Sequence, residues 1–304
     1  MIRLLKKRSV IQTRGLRLNR DRHWQSSLVN TAQRSSVEEQ VTVGSVTGIY
    51  SRWDTPVLQV LEPCHVSVIL PIYNEEACIR RTIAAVWEYA EKHPRYKFIF
   101  VNDGSIDATQ RILETTIRAL QTRQIQFIHY QTRQGKGYAI KTGVEFANGD
   151  YICFMDGDLA YSLDHLDHLL DQLAFFDVVI GCRNLVDGGD KGLRLTRKVA
   201  GKVFNTLSQW ILNLRFSDMQ AGIKGFKSSV AKELFACQKL SGFSFDVELI
   251  YLAKKWGYAI GEIPAHVSSS HPQKVSKVNL IQDSLKMLRD LFKVRLNDMI
   301  GRYE

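Results

Sequence analysis

Residues 150–158 read DYICFMDGD. The apolar run Asp150–Met155 has the composition of a buried strand, and Asp156-Gly157-Asp158 follows it at once. Along an extended backbone, residues i and i+2 point to the same side. The carboxylates of Asp156 and Asp158 therefore converge at the strand's carboxyl end. Two carboxylates held together repel, and they must take up either a proton or a cation. Mg²⁺ and Mn²⁺ take oxygen ligands, commonly one or two carboxylates together with substrate phosphates. A bare DxD is frequent in loops; its place after a buried strand makes this one a candidate metal site.

The same rhythm runs upstream and downstream. Val66–Ile72 reads as a strand, and Glu75–Lys92 as a helix with Ile79, Ile83, Val86 and Ala90 in register, ended by His93-Pro94. Strands over Lys97–Asn102, Gln126–Tyr130 and Asp177–Cys182 alternate with helices over Asp107–Thr122, Lys136–Ala147 and Leu163–Phe175. Such alternation predicts an α/β fold, a doubly wound and mostly parallel sheet with helices on both faces. Ligands bind such sheets at the carboxyl ends of the strands. The second half predicts amphipathic helices over Leu193–Phe216 and Leu280–Asn297, strands over Ile223–Lys227 and Tyr258–Ile263, and a helix over Phe245–Trp256. Three regions follow: a partly disordered basic extension over 1–62, the main domain over 63–270, and an amphipathic helix within 271–304.

The chain has 304 residues, 45 % of them hydrophobic, enough for a sizeable core. Its formal charge is +10, but residues 1–36 hold nine Lys or Arg against one acid, Asp21. The folded body is nearly neutral, so no nucleic-acid partner is expected. Three readings of the arm stay open: a lipid-headgroup contact, a transit peptide, or an idle tail. The five cysteines, at 64, 78, 153, 182 and 237, form no CxxC, so neither a disulfide framework nor a zinc site is indicated. A reducing, cytoplasmic setting is expected. No apolar run approaches the roughly 18 residues of a membrane-crossing helix.

Two more strand ends carry polar loops. In Asn102-Asp103-Gly104-Ser105, Asp103 is placed to accept hydrogen bonds from a base or ribose, or else to cap the next helix. In Pro71-Ile72-Tyr73-Asn74-Glu75-Glu76, Asn74 is placed to cap the following helix, with the glutamates at its positive end.

Taken in order, VSVILPIYNEE (66–76), VNDGS (101–105) and GKGYAIKTGVEFANGDYICFMDGD (135–158) resemble the family 2 glycosyltransferases of the GT-A fold, over about residues 64–270. The resemblance implies that Pro71, Tyr73 and Glu75 line the nucleotide and that Asp103 holds the base. It places Lys136 near the diphosphate, and Mg²⁺ or Mn²⁺ on Asp156 and Asp158. Gly181-Cys182-Arg183, Asp218-Met219-Gln220-Ala221-Gly222 and Phe245-Asp246-Val247-Glu248 look like the dolichyl-phosphate sugar synthases, whose acceptor half carries DTQCGFK and FDVE. Met219, Ala221 and Cys182 depart from that pattern, which loosens the donor assignment more than the reaction class.

An inverting transfer of a hexose, glucose from UDP-glucose in the first place, onto a polyprenyl phosphate is therefore expected. A phosphate monoester is largely anionic at pH 7, so it can attack without a strong base. Asp158, Asp246 and Arg183 are the expected catalytic residues. Asp246 stands where sugar-acceptor relatives keep their base. Arg183, Arg197 and Lys198 are candidates for the acceptor phosphate, and Asp218 and Gln220 for the sugar pocket. Peripheral attachment at the cytoplasmic face of a membrane is expected, with a homo-oligomer open. Rival readings are a soluble or polysaccharide acceptor, GDP-mannose as donor, and a nucleotide-binding scaffold without turnover.

Overall fold

The computed structural model describes residues 39–43, 46–50, 65–186, 195–267 and 280–304. Two compact units emerge, Met1–Leu61 and Glu62–Glu304. In the first, β1 (Glu39–Val43) and β2 (Val46–Tyr50) pair antiparallel. This hairpin lies in the stretch that the sequence predicts as a partly disordered extension. Alternation in EQVTV and VTGIY is the signal for it.

The second unit holds a seven-stranded sheet. In chain order come β3 (Val66–Ile72), α1 (Ile79–Lys92), β4 (Tyr96–Asp103), α2 (Thr109–Leu120), β5 (Ile125–Tyr130), α3 (Lys136–Phe146), β6 (Tyr151–Met155), α4 (His165–Leu173) and β7 (Val178–Cys182). There follow α5 (Leu195–Leu212), β8 (Ile223–Lys227), α6 (Ser228–Cys237), α7 (Phe245–Lys255), β9 (Ile260–Pro264) and α8 (Leu280–Met299). The strand order is β5-β4-β3-β6-β8-β7-β9. Strands β3 to β6 run parallel, while β8 is antiparallel to both β6 and β7. After β3 the chain winds out to β4 and β5, then returns to place β6 on β3's other side. The carboxyl ends of β3 and β6 thus flank a crevice of the kind that binds ligands in open α/β sheets.

Period-two burial sorts β3 between two cores. Val66, Val68, Leu70 and Ile72 pack with α1, α2 and α4, whereas Ile69 packs with α3, α6 and α7. Nearly continuous burial of β3 and β4 fits strands covered on both faces. Helix α1 begins at Ile79, later than the periodicity suggested. Asn74 does not cap it: Asn74 has φ 52°, its N–H donates to Ser105 Oγ, and its Oδ1 accepts from the Ile106 N–H. The loops after β3 and β4 are thereby tied together. Helix α6 went unpredicted, because Ser228–Cys237 follows β8 with no loop to announce it.

Helix α8 is fastened to the core at its far end. Tyr303, almost fully buried, donates its hydroxyl to Glu248 Oε1 at 2.6 Å. Glu248 also accepts the N–H groups of Lys239 and Leu240. Three donors compensate a carboxylate that has no solvent exposure. A hydrogen bond to a charged, buried acceptor is worth about 1.5–3 kcal/mol. Tyr303→Phe should therefore lower unfolding stability by that amount in urea titration, with an unchanged slope.

Candidate active site

Asp156 leaves β6 with its N–H donated to the Gly222 carbonyl at 2.9 Å. A Cβ on Gly222 would stand 2.0 Å from Asp156 Oδ2, so only glycine leaves room for the carboxylate. Lys136 Nζ lies 2.6 Å from Asp156 Oδ1. Burial works against the charge on Lys136, but Asp156 and Asp246 more than offset it and raise its pKa. Asp158, two residues on, accepts the Ala160 N–H at 3.2 Å.

The GKG segment explains how Lys136 reaches this place. Gly135 has φ 112°, and its carbonyl accepts the Ala139 N–H in the first turn of α3. A Cβ on Gly137 would lie 2.7 Å from Phe245 Cβ, and the Gly137 N–H donates to Ser241 O. The first turn of α3 thus touches the start of α7, which carries Asp246. There Lys224 Nζ sits 2.9 Å from Asp246 Oδ1, with 0 % and 5 % of the two side chains exposed. The angle is poor for a hydrogen bond to that oxygen, so the contact is mainly ionic. Lys224 also donates to Ala221 O at 2.7 Å. Burial raises the Asp246 pKa and lowers that of Lys224, and their mutual attraction opposes both shifts.

Arg183, just past β7, spends its planar fork on Asp218. Nε donates to Oδ2 at 2.7 Å and Nη2 to Oδ1 at 2.8 Å, while the Arg183 backbone N–H also reaches Oδ2. Burial works against Asp218's charge, and the guanidinium together with backbone donors holds its pKa below the usual carboxylate range. Gln220 contributes its N–H to Asp218 Oδ1. The carboxylate expected in a sugar pocket is thus engaged with the arginine expected on a phosphate. Arg183 keeps 20 % of its side chain exposed. Asp156 acts on it electrostatically, and so does buried Tyr161, whose own phenol burial pushes up to about 12. Arg197 and Lys198 lie on α5 with side chains outside the described residues.

The loops after β3, β4 and β5 form a second group. Asp103 Oδ1 accepts from the Tyr130 hydroxyl at 2.8 Å and the Gln134 N–H at 2.7 Å, and Oδ2 from the Gly135 N–H at 3.0 Å. Asp103 thereby shapes the loop that presents Lys136. Arg133 stacks its guanidinium 4.1 Å from the Tyr73 ring centre. Glu75 donates its N–H to Thr109 Oγ1, and its carboxylate accepts the Cys78 thiol. Pro71, in register with Val101, closes β3 beside Gly157.

Asp156, Asp158, Lys136, Asp246, Arg183 and Asp218 were all singled out from sequence, and the fold gathers Asp156, Lys136, Asp246, Arg183 and Asp218 into one charged cluster. Lys224 was missed. A lysine at an inward position of the strand IKGFK was its signal. The two carboxylates of one tight turn, with no soft ligand among them, suit Mg²⁺ or Mn²⁺, and Asp156 already faces a cation. Among the described residues, no group of three or more His, Cys, Asp or Glu converges to hold a metal. An ion on Asp156 and Asp158 would complete its shell with water and phosphate oxygens.

A mostly parallel sheet with a DGD turn at its crevice defines the GT-A class of nucleotide-sugar transferases. The model of the family "Glycosyl transferase family 2" matches residues 67–235, more than half of the chain, and the chain belongs to that family; it is a glycosyltransferase. It is 29 % identical over 262 residues to the dolichyl-phosphate beta-glucosyltransferase of Saccharomyces cerevisiae, covering 80 % of this chain and 77 % of that one. The enzyme of the same name from Dictyostelium discoideum is 26 % identical over 254 residues, with 79 % and 77 % covered. Among solved structures, glucosyl-3-phosphoglycerate synthase from Mycobacterium tuberculosis, in complex with Mn²⁺, UDP and phosphoglyceric acid, superposes with a TM-score of 0.54. At 18 % identity, covering 79 % of this chain and 78 % of that one, the likeness concerns the fold.

The Gly222 contact yields a direct test. Gly222→Ala should displace the Asp156 carboxylate and lower kcat by about two orders of magnitude or more, the size of a lost transition-state contact. Circular dichroism should stay unchanged. Wild-type turnover in Gly222→Ala would show that Asp156 need not hold this position.

Proposed function

We propose that this glycosyltransferase moves a hexose, glucose from UDP-glucose in the first place, to the phosphate of a polyprenyl phosphate at a cytoplasmic membrane face, with inversion at the anomeric carbon. The observation that carries the reading is the state of Asp246. A general base must exchange a proton with the acceptor, yet this carboxylate is buried and faces the Lys224 ammonium at 2.9 Å. Burial raises the Asp246 pKa, but the ammonium opposes that rise and holds the carboxylate as its counter-ion rather than leaving it free as a base. An acceptor that arrives as an anion has no need of one. The two dolichyl-phosphate beta-glucosyltransferases, each matched over about four-fifths of this chain, support the same acceptor class.

In this reading the chain's own residues align the reactants and balance charge. Tyr73 and Arg133 offer a stacked platform beside Asp103 for the base. Lys136 turns from Asp156 to the diphosphate when the donor arrives. Asp156 and Asp158 would hold a divalent ion, which when bound would supply Lewis-acid stabilisation of the departing nucleoside diphosphate. Arg183, set rigidly by Asp218, presents its remaining N–H groups to the acceptor phosphate, with Arg197 and Lys198 on α5 as further cations. Asp246, fixed by Lys224, orients the sugar or the acceptor.

UDP-glucose assayed with a short-chain polyprenyl phosphate should give turnover, and the same assay with free polyprenol or simple sugars should give none. Asp246→Asn, measured where the variant stays folded, should cost less in kcat than the 10²–10⁴-fold or so typical of losing a general base. Turnover with sugars and none with the phosphate, or a full base-type loss in Asp246→Asn, would move the assignment to a hydroxyl acceptor.

A further inference from the structure

Helix α8 turns outward side chains that surface helices ordinarily hide. From residue 285 on, the inward face is Asp290, Leu291, Val294 and Asn297, all buried. Outward lie Leu285, 65 % exposed, Phe292, 56 %, Leu296, 55 %, and Met299, 74 %. With about 3.6 residues per turn, these four fall on a single stripe along the helix. One exposed leucine is ordinary, but a continuous row of large apolar side chains marks a docking surface.

Charge along the helix is sorted as well. Lys286, Arg289 and Lys293 are exposed within or beside the stripe. Among the described residues, none of the three makes an ion pair. Between residues 285 and 299 the two carboxylates are turned away: Asp290 is buried, and Asp298 is engaged by Lys255 and Tyr251. From Leu285 to Met299, among the described residues, the outer face of α8 is therefore apolar and cationic, with no acid on it.

We propose that this face docks on an anionic lipid bilayer, the Leu285–Phe292–Leu296–Met299 stripe entering the headgroup–acyl boundary and Lys286, Arg289 and Lys293 meeting lipid phosphates. Helices with this distribution lie in the interfacial plane. Each lysine or arginine near an anionic surface adds electrostatic attraction. A second copy of this chain is the poorer fit, because a twofold interface would set the same unpaired cations against one another. Helix α8 is also a firm mount, since Tyr303 beyond its end is anchored on Glu248 of α7, two residues from Asp246. The surface stands on α8 itself and does not depend on which acceptor the enzyme uses.

The test is flotation of the full-length protein with phosphatidylcholine vesicles, with and without phosphatidylserine, in the absence of donor and polyprenyl phosphate. Wild type should bind the phosphatidylserine vesicles, more weakly at high salt. Phe292→Ser/Leu296→Ser/Met299→Ser should bind at least about tenfold more weakly. Lys286→Gln/Arg289→Gln/Lys293→Gln should lose the preference for phosphatidylserine. Both variants should keep wild-type UDP binding and thermal unfolding, which separates loss of docking from loss of fold. The proposal is overturned if wild type binds neither vesicle, or if the serine variant floats like wild type, which would assign binding to the basic arm at residues 1–36. It is also overturned if wild type is a dimer that the serine variant dissolves.

Discussion

The ion pair between Lys136 and Asp156 organises the crevice. Asp156 sits at the end of β6 against the bare backbone of Gly222, and Lys136 covers it at 2.6 Å from the first turn of α3. Everything around the pair constrains one partner or the other. Asp103 and Gly135 shape the loop that launches Lys136, and Gly137 lets that turn rest on Phe245. The packing in turn brings Asp246 near Lys136, with Lys224 behind it. Charges alternate through Asp156, Lys136, Asp246 and Lys224, and each is partly neutralised by the next. Removing one member of a buried pair typically costs about 3–5 kcal/mol, so the cluster has to be kept or exchanged as a set.

That balance bears on function. Burial raises the Asp246 pKa, while Lys224 and Lys136 oppose that rise and keep the carboxylate engaged as a counter-ion. Under the proposed function, this alternation of charges lets cations be exchanged when phosphates enter. In the proposed mechanism a donor diphosphate would give Lys136 a new partner and leave Asp156 available to a divalent ion. The Arg183–Asp218 pair works differently. Its fork is fixed by two hydrogen bonds, and what it can offer an acceptor is a rigid guanidinium edge.

Much of this was legible in the sequence, for identifiable reasons. The βαβ alternation from Val66 to Cys182 survives in the structure because buried parallel strands need continuous apolar runs, and turns at their carboxyl ends need Gly, Asp and Asn. The loop motifs stood at strand ends and stayed there. What escaped were partnerships between distant segments. Asn74 reads locally as a helix cap, but the fold offers it Ser105 and Ile106 instead. Asp218 and Arg183 read as two separate ligand contacts and prove to be each other's partner. Lys224 looked like one more strand residue until β8 placed it under Asp246. No helix among the described residues is long and apolar enough to cross a membrane, in line with the hydropathy of the sequence.

The measurement that bears most directly on the Lys136–Asp156 pair is Mn²⁺ binding followed by electron paramagnetic resonance, with and without UDP, in wild type and in Lys136→Met. Wild type should bind Mn²⁺ weakly alone and markedly tighter with UDP, by roughly the 5–150-fold typical of coupled sites. Lys136→Met should bind Mn²⁺ more tightly than wild type without UDP and gain little when UDP is added. Equal Mn²⁺ affinity in the two proteins without UDP, or undiminished coupling in Lys136→Met, would contradict the account.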